Sequence, residues 1–194
     1  MIKLIKNFIF ISIFALLLSC DQSLKSKNSS GNLVTVKVFS SLTCPHCADF
    51  HNKIFKDLEK DFITKGLVKF EHKSFPLDMA ALNAEKILQC GGGSELNTQL
   101  LGEIYKKQNK WAVGSDINII NESIKKIGIN FGLNNAQMNK CLLDKKLEDK
   151  ILDERVEAQK NYKISSTPTI YVNEKKYEDK KNYKAFKKFI ENLL

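Results

Sequence analysis

The stretch Ser40-Ser41-Leu42-Thr43-Cys44-Pro45-His46-Cys47 decides the fold, because it sets a CxxC pair between two segments of different periodicity. Before it, residues 33–39 are rich in valine and predict a strand. After it, apolar residues recur at helical spacing and predict an amphipathic helix; they are Phe50, Ile54, Phe55, Leu58 and Phe62. The two thiols therefore bracket the start of a helix, and they can close and open as a disulfide.

The place of Cys44 at the start of this helix has a chemical consequence. The first helical turn offers unpaired backbone N–H groups and the positive end of the helix dipole, and both favour a thiolate at Cys44. Pro45 suits the first helical position, because it has no N–H to lose and its φ is already close to the helical value. Cys47 lies one turn further in and faces the protein. We therefore expect Cys44 to be the accessible, reactive thiol and Cys47 to be shielded.

Two alternatives for the CxxC pair are half of a zinc site and two buried cysteines without a redox role. A structural zinc usually takes four ligands from two such pairs, and the chain has no second CxxC. His46 and His51 could complete a site on one small surface, so a metal site stays open as the minor alternative. We expect neither a metal nor a cofactor.

The first 19 residues predict an export signal. Lys3 and Lys6 precede an almost unbroken apolar run over residues 8–18, which is too short to span a bilayer comfortably. The run ends in Leu17-Leu18-Ser19-Cys20, which resembles the bacterial lipobox, where the cysteine is lipidated and becomes the first mature residue. Residues 1–19 are thus predicted to be a lipoprotein-type signal peptide with Cys20 as the lipid anchor. An uncleaved signal anchor and a plain signal peptide are the alternatives.

Residues 20–32 are polar and serine-rich without periodicity, which predicts a flexible tether. We therefore expect a lipid-anchored protein in the periplasm or on the outer face of a bacterial membrane. Disulfides are chemically permitted in an exported chain of this kind.

The charge balance argues against a nucleic-acid partner. The formal net charge is +9, but the lysines are spread over predicted helix surfaces and mixed with acidic residues, as in a solvated surface. Beyond the tether, the chain has the length of one ordinary domain with its own core. We expect a monomer that reaches the membrane through its anchor and binds no nucleic acid.

The rest of the chain predicts an α/β domain with a helical insertion. After the first helix a second apolar run predicts a strand, so that a strand, a helix and a parallel strand form a βαβ unit. Residues 78–149 lose the strand signal and predict an all-helical subdomain. The chain returns through a long helix, the pair Thr167-Pro168, a hairpin and a C-terminal helix. The sheet domain thus comprises residues 33–77 and 150–194.

This order of elements, together with CPHC and a distant Thr-Pro before a strand, resembles the DsbA-like branch of the thioredoxin superfamily. The resemblance covers residues 33–194 and implies a thioredoxin fold, βαβ followed by ββα, with an inserted all-helical subdomain. It implies a thiol:disulfide oxidoreductase in which Cys44 attacks and Cys47 resolves. Thr167-Pro168 would then have a cis bond beside the dithiol and offer backbone groups to an extended substrate. From the sequence alone, Pro168 could also be a strand-edge proline.

The chain departs from that family's pattern near the buried cysteine. Related oxidants often carry acidic residues in the strand before CPHC and in the helix after it, and Val38 and His51 stand at those places here. We expect His46 to stabilise the Cys44 thiolate, by donating a hydrogen bond to the sulfur or by carrying a positive charge beside it. His72, in the second strand, has no partner recognisable from the sequence.

Cys90 and Cys141 are the remaining cysteines of the predicted domain. Each lies on or ends a short predicted helix of the insertion, and exported domains seldom keep two free thiols. We expect a structural disulfide between them; two separate buried thiols are the alternative.

The leading functional hypothesis is an oxidase that transfers its Cys44-Cys47 disulfide to reduced exported proteins. A redox partner in the membrane would then reoxidise it. One alternative is a reductase or isomerase that uses the same cysteines. The other is a redox-inert lipoprotein that uses a thioredoxin scaffold for binding.

Overall fold

The computed structural model describes residues 33–91, 93–180 and 182–194. The predicted signal peptide, the tether and the predicted lipid anchor Cys20 lie outside these ranges. No helix within them is long and apolar enough to cross a membrane.

A mixed four-stranded sheet forms the centre of the domain. Its strands are β1 (Val34–Ser40), β2 (Val68–Ser74), β3 (Thr169–Val172) and β4 (Lys175–Lys176), in the spatial order β2-β1-β3-β4. Strand β1 pairs in parallel with β2 and antiparallel with β3, which pairs antiparallel with β4. The predicted βαβ and ββα units therefore meet at β1 and β3.

Eight helices accompany the sheet in the described part of the chain. Helix α1 covers residues 45–63 and contains two π-helical turns, at His51–Phe55 and Glu59–Ile63. The later helices are α2 (Met79–Cys90), α3 (Ser94–Lys106), α4 (Gln108–Trp111), α5 (Ile117–Ile129), α6 (Asn135–Leu143), α7 (Lys145–Asn161) and α8 (Tyr183–Glu191). Helices α1 and α8 pack on the sheet, whereas α2 to α6 form the predicted insertion.

Short polar side chains begin five of these helices. The capping residues Asp78, Asp116, Asn134, Asp144 and Asn182 each accept a hydrogen bond from a backbone N–H two or three residues later. Such a cap satisfies a donor that the first helical turn leaves free and stabilises the helix by about 1 kcal/mol. The starts of these helices are therefore set by local sequence.

Two large apolar cores and a smaller one, which contains Phe39 and Ala158, hold the described elements together. One large core lies between the sheet, α1 and α8, and includes Val36, Leu58 and Phe186. The other large core joins the start of α1 to the insertion, and it contains both cysteines of the CxxC pair together with Leu42 and Trp111. The dithiol therefore lies at the boundary between the sheet domain and the insertion.

The predicted boundary between residues 149 and 150 falls inside helix α7. This helix contacts both parts of the domain. Glu148 accepts a hydrogen bond from the buried Lys86 of α2 at 2.9 Å, and Ala158 packs with Phe39 of β1. Helix α7 is thus shared by the insertion and the sheet domain.

A disulfide links Cys90, at the end of α2, to Cys141 in α6. The Cα atoms lie 5.9 Å apart, and the two cysteines are separated by 51 residues. The bond is the pairing expected from the sequence, and it closes a loop that contains most of the insertion.

Candidate active site

The CxxC pair lies where the chain passes from β1 into α1. Cys44 is the N-cap residue of α1 and Pro45 is its first residue. The carbonyl of Cys44 accepts hydrogen bonds from the N–H groups of Cys47 at 3.0 Å and Ala48 at 3.2 Å. Both cysteines are free thiols. Both are buried, but Cys44 is 8% exposed and Cys47 only 1%, so Cys44 is the more accessible of the two.

The two thiols differ in how readily they lose a proton, because Cys47 is the more deeply buried. Burial raises the pKa of Cys47 to about 12, although a hydrogen bond from the Ser41 backbone acts in the opposite direction. A thiol with this pKa stays protonated near neutral pH. Cys44 instead lies at the N-terminus of α1, where the helix dipole favours an anion. The site therefore contains one sulfur suited to attack and one that holds its proton.

The Thr167-Pro168 pair lies directly beside this dithiol, although 123 residues separate it from Cys44. The Sγ of Cys44 donates to the carbonyl of Thr167 at 3.4 Å, and the Thr167-Pro168 peptide bond is cis. The hydroxyl of Thr167 is buried next to the Cys47 thiol and acts to lower its pKa, against the larger effect of burial. The structure thus brings together the two motifs that the sequence placed in one site.

His46 does not make the hydrogen bond that the sequence led us to expect. Its ring is exposed, and the hydrogen bond of the Cys44 sulfur goes to Thr167 instead. The charge of His46 contributes, after the larger effect of a hydrogen bond from Lys53, to a lowered pKa of the exposed Asp49 carboxyl. An effect of His46 on the Cys44 thiolate would therefore have to come from its charge.

His51, which occupies the place of an acidic residue in related oxidants, is buried and uncharged. Its ring stacks on Phe55 with 4.3 Å between centroids and lies 5.1 Å from the ring of Tyr105. Neither ring nitrogen has a hydrogen-bond partner in the described part of the protein. Burial lowers the pKa of His51 to about 3. A neutral imidazole of this kind is a poor acceptor for the proton of Cys47.

Neutral burial of His51 predicts a loss of stability in mild acid. The folded pKa of about 3 lies below the ordinary value of 6.5, so the unfolded chain binds a proton first as the pH falls from 6.5 towards 3. Between pH 7.5 and 5, we expect the free energy of unfolding to fall by about 2 kcal/mol more in the wild type than in His51→Phe, which keeps the ring stacking. Urea titrations at both pH values measure this difference.

The matched control for His51→Phe is His46→Phe, which removes an exposed histidine from the same helix. This variant should keep the acid sensitivity of the wild type. Parallel pH profiles for the wild type and His51→Phe would contradict the burial of a neutral imidazole at position 51.

His72 has a buried partner that the sequence did not reveal. Its Nε2 lies 2.7 Å from Oε1 of Glu85 in α2, and the other carboxylate oxygen accepts from the hydroxyl of Ser74 at 3.1 Å. Burial lowers the pKa of His72, but the charge and the hydrogen bond of Glu85 outweigh it, so the pKa is raised overall. The His72–Glu85 pair lines a cavity of about 290 Å³ between β2, α2, α3 and α7. The contact between His72 and Glu85 joins strand β2 of the sheet to helix α2 of the insertion.

The sequence indicated only that Glu85 needs a partner, and it did not indicate that this partner is His72. Glu85 follows Ala81, Leu82 and Ala84 on the buried face of α2, where a carboxylate needs a partner. The metal site left open by the sequence has no counterpart in the described part of the chain, because no three His, Cys, Asp or Glu side chains are grouped closely enough to hold an ion.

A dithiol on the first turn of the helix that follows the central strand, beside a cis-proline loop, defines a thioredoxin-fold protein with a CxxC site. The family model described as "Thioredoxin" matches residues 29–192. The chain belongs to the thioredoxin family.

Curated relatives carry names from disulfide chemistry. A Rickettsia bellii protein, provisionally named a protein-disulfide oxidoreductase, is 30% identical over 148 residues, which cover 75% of this chain and 55% of that protein. The Bacillus subtilis "Disulfide bond formation protein D" is 28% identical over 168 residues, which cover 83% of this chain and 72% of that protein. The chain spans about half the length of the Rickettsia relatives that it matches.

Solved structures show the same fold. The crystal structure of α-DsbA1 from Wolbachia pipientis superposes with a TM-score of 0.74 at 24% sequence identity, covering 83% of this chain and 85% of that chain. This likeness confirms the DsbA-like form of the thioredoxin fold, with its helical insertion.

Proposed function

We propose that the chain is a thiol:disulfide oxidase that transfers the Cys44–Cys47 disulfide to reduced exported proteins. The observation that carries the proposal is the asymmetry of the pair. Cys44 lies at a helix N-terminus beside the Thr167-Pro168 loop, whereas Cys47 is buried with a pKa raised to about 12. The names of the Rickettsia and Bacillus relatives support the same class of reaction.

The proposed reaction takes place in two exchanges. A substrate thiolate attacks the Sγ of Cys44, the Cys44–Cys47 bond breaks, and Cys47 leaves with the electron pair and takes up a proton, as its raised pKa requires. A second substrate thiolate then attacks the substrate sulfur bound to Cys44 and releases Cys44 as a thiolate. The substrate gains one disulfide, and the protein ends as the dithiol.

The surroundings of Cys44 suit an unfolded polypeptide as substrate. The cis-proline loop places backbone groups of Thr167 and Pro168 beside the reactive sulfur, where an extended chain can pair with them. Leu77 and Met79 are exposed on either side of Asp78, whose carboxylate accepts from the hydroxyl of Thr43 at 2.7 Å. Apolar side chains are therefore available at the rim of the dithiol turn.

The proposed oxidase has a cellular location and a redox partner that follow from the same reaction. The predicted lipobox would anchor it through Cys20 in the periplasm or on the outer face of a bacterial membrane, as a monomer. A redox protein of that membrane would reoxidise the dithiol after each transfer. Neither nucleic acid nor a metal takes part in the proposed reaction.

The test is stoichiometric transfer to a reduced, unfolded secreted protein, such as reduced ribonuclease. The oxidised chain should introduce close to one disulfide per molecule, and Cys44→Ser should introduce none. Activity on scrambled ribonuclease by the reduced chain, without net oxidation, would favour an isomerase instead. Reduction of insulin disulfides without transfer to ribonuclease would favour a reductase, and inactivity in all three assays would favour the binding lipoprotein.

A further inference from the structure

The helical insertion, together with Leu77 just before it, holds the dithiol turn through a set of polar contacts on consecutive residues. These contacts are Tyr105 Oη to the Ser41 carbonyl (3.5 Å), Leu77 N to Ser41 Oγ (3.3 Å), Gln108 Nε2 to the carbonyls of Leu42 (2.7 Å) and Cys44 (3.0 Å), and Thr43 Oγ1 to Asp78 Oδ2 (2.7 Å). The conformation of the turn before the reactive cysteine is therefore set by side chains and backbone from outside it.

Gln108 is the central member of this set. It is a buried polar residue, and one amide nitrogen donates to two carbonyl oxygens, that of Leu42 and that of Cys44 itself. These two carbonyls flank Thr43. The carbonyl of Cys44 also accepts from the first turn of α1, so the amide of Gln108 fixes the turn and the helix start at one point.

The helical path is interrupted at Lys107, just before Gln108, and a side-chain hydrogen bond replaces the helical one that is lost there. Lys107 has φ −102° and ψ 11°, which ends α3 and lets α4 begin at Gln108. In an unbroken helix the carbonyl of Ile104 would pair with the N–H of Gln108. Here that carbonyl accepts from the indole N–H of the buried Trp111 at 2.9 Å. The interruption therefore positions Gln108, and the buried carbonyl of Ile104 still has a hydrogen-bond partner.

We infer that Gln108 is a positioning residue that shifts the Cys44–Cys47 couple towards the dithiol. The inference deepens the proposed function and rests on it. A carbonyl oxygen carries partial negative charge, and the two N–H groups of the amide offset that charge next to Cys44. Only the reduced form can carry a thiolate at Cys44, and that anion gains from this arrangement, whereas the disulfide has no charge there and gains nothing.

The test compares Gln108→Met with Gln137→Met. Methionine keeps the unbranched shape of glutamine and removes the amide. Gln137 is the matched control, because its Nε2 also donates to a backbone carbonyl of the insertion, that of Cys90 at 3.1 Å, but not to the dithiol turn. Each variant is equilibrated with glutathione buffers, and the fraction of dithiol is read by alkylation.

Gln108→Met should shift the equilibrium constant of the couple about tenfold towards the disulfide, which corresponds to about 30 mV. Gln137→Met should stay within about twofold of the wild type. Equal values for the two variants would overturn the inference. A reducing wild-type couple would overturn the proposed function alone, because the effect of Gln108 is read as a difference from the wild type.

A second variant keeps the test decisive if Gln108→Met does not fold. Gln108→Lys retains N–H donors for the carbonyls of Leu42 and Cys44 and adds a positive charge, as Lys86 does where its ammonium donates to a backbone carbonyl. It should shift the couple about tenfold towards the dithiol. A folded Gln108→Lys with an unchanged couple, or one shifted towards the disulfide, would contradict the inference.

Discussion

Replacing Cys44 with serine is expected to lower the rate of disulfide transfer by at least about 1,000-fold, because the exchange loses the sulfur that a substrate attacks. Cys47→Ser should behave differently. Its Cys44 sulfur remains beside Thr167 and can still form a mixed disulfide, but no internal thiol is left to release the bound substrate. Rapid mixing with a thiol peptide activated as a mixed disulfide measures both variants.

The contrast between the two variants is the informative result. Cys47→Ser should accumulate a covalent adduct that is visible on a non-reducing gel, and Cys44→Ser should form little, because Cys47 is buried. The double variant is the control for labelling at other cysteines. Adducts of equal amount on the two single variants would contradict the assignment of Cys44 as the attacked sulfur.

Removing the Cys90–Cys141 disulfide is expected to lower the free energy of unfolding by about 4 kcal/mol. The bond joins cysteines separated by 51 residues, and in the chain-entropy model the unfolded state gains the freedom of that closed loop. The comparison is Cys90→Ala/Cys141→Ala against its parent, with Cys44→Ser/Cys47→Ser in both chains. Urea unfolding then reports this disulfide alone.

The single variant Cys141→Ala is the control for this experiment. It also lacks the cross-link, so its loss of stability should be close to that of the double alanine variant. A loss below about 1 kcal/mol in both would show that the insertion is held by its apolar core and not by the cross-link. The transfer activity of the wild-type dithiol should survive the removal of Cys90 and Cys141, since neither takes part in the exchange at Cys44 and Cys47.

Local patterns predicted most of the fold because they act over a few residues. The valines before the CxxC pair predicted β1, which the structure bounds at Val34–Ser40. The apolar spacing after it predicted a helix, and the structure has one over residues 45–63, with the addition of two π turns. The fold family followed from the order of these elements and from the two motifs, and the comparisons confirm it.

Contacts between residues far apart in the chain could not be predicted from such local patterns. Nothing near His72 indicates that its partner is Glu85, which reaches it from another element. Nothing near Gln108 indicates that its amide reaches the carbonyls of Leu42 and Cys44, up to 66 residues earlier. Such contacts depend on how the insertion packs against the sheet domain, and periodicity carries no information on that packing.

The exposed position of the His46 ring could not be predicted either, because it also depends on neighbours that are distant in sequence. A side chain between two cysteines of a helix start can turn towards the sulfur or towards solvent, and the neighbours decide which. In the structure the Cys44 sulfur is engaged by the Thr167 carbonyl, whereas the His46 ring lies on the exposed side of the turn. The sequence could therefore name the residues of the site but not the contacts among them.

Equilibration of the Cys44–Cys47 couple with glutathione tests the central claim most directly. An oxidase requires the dithiol form to be favoured, and the helix N-terminus at Cys44 supplies stabilisation for it. We expect a reduction potential nearer to the oxidising end of thioredoxin-fold dithiols, about −120 mV, than to the reducing end, about −270 mV. A value at the reducing end would contradict the oxidase and assign the protein to disulfide reduction.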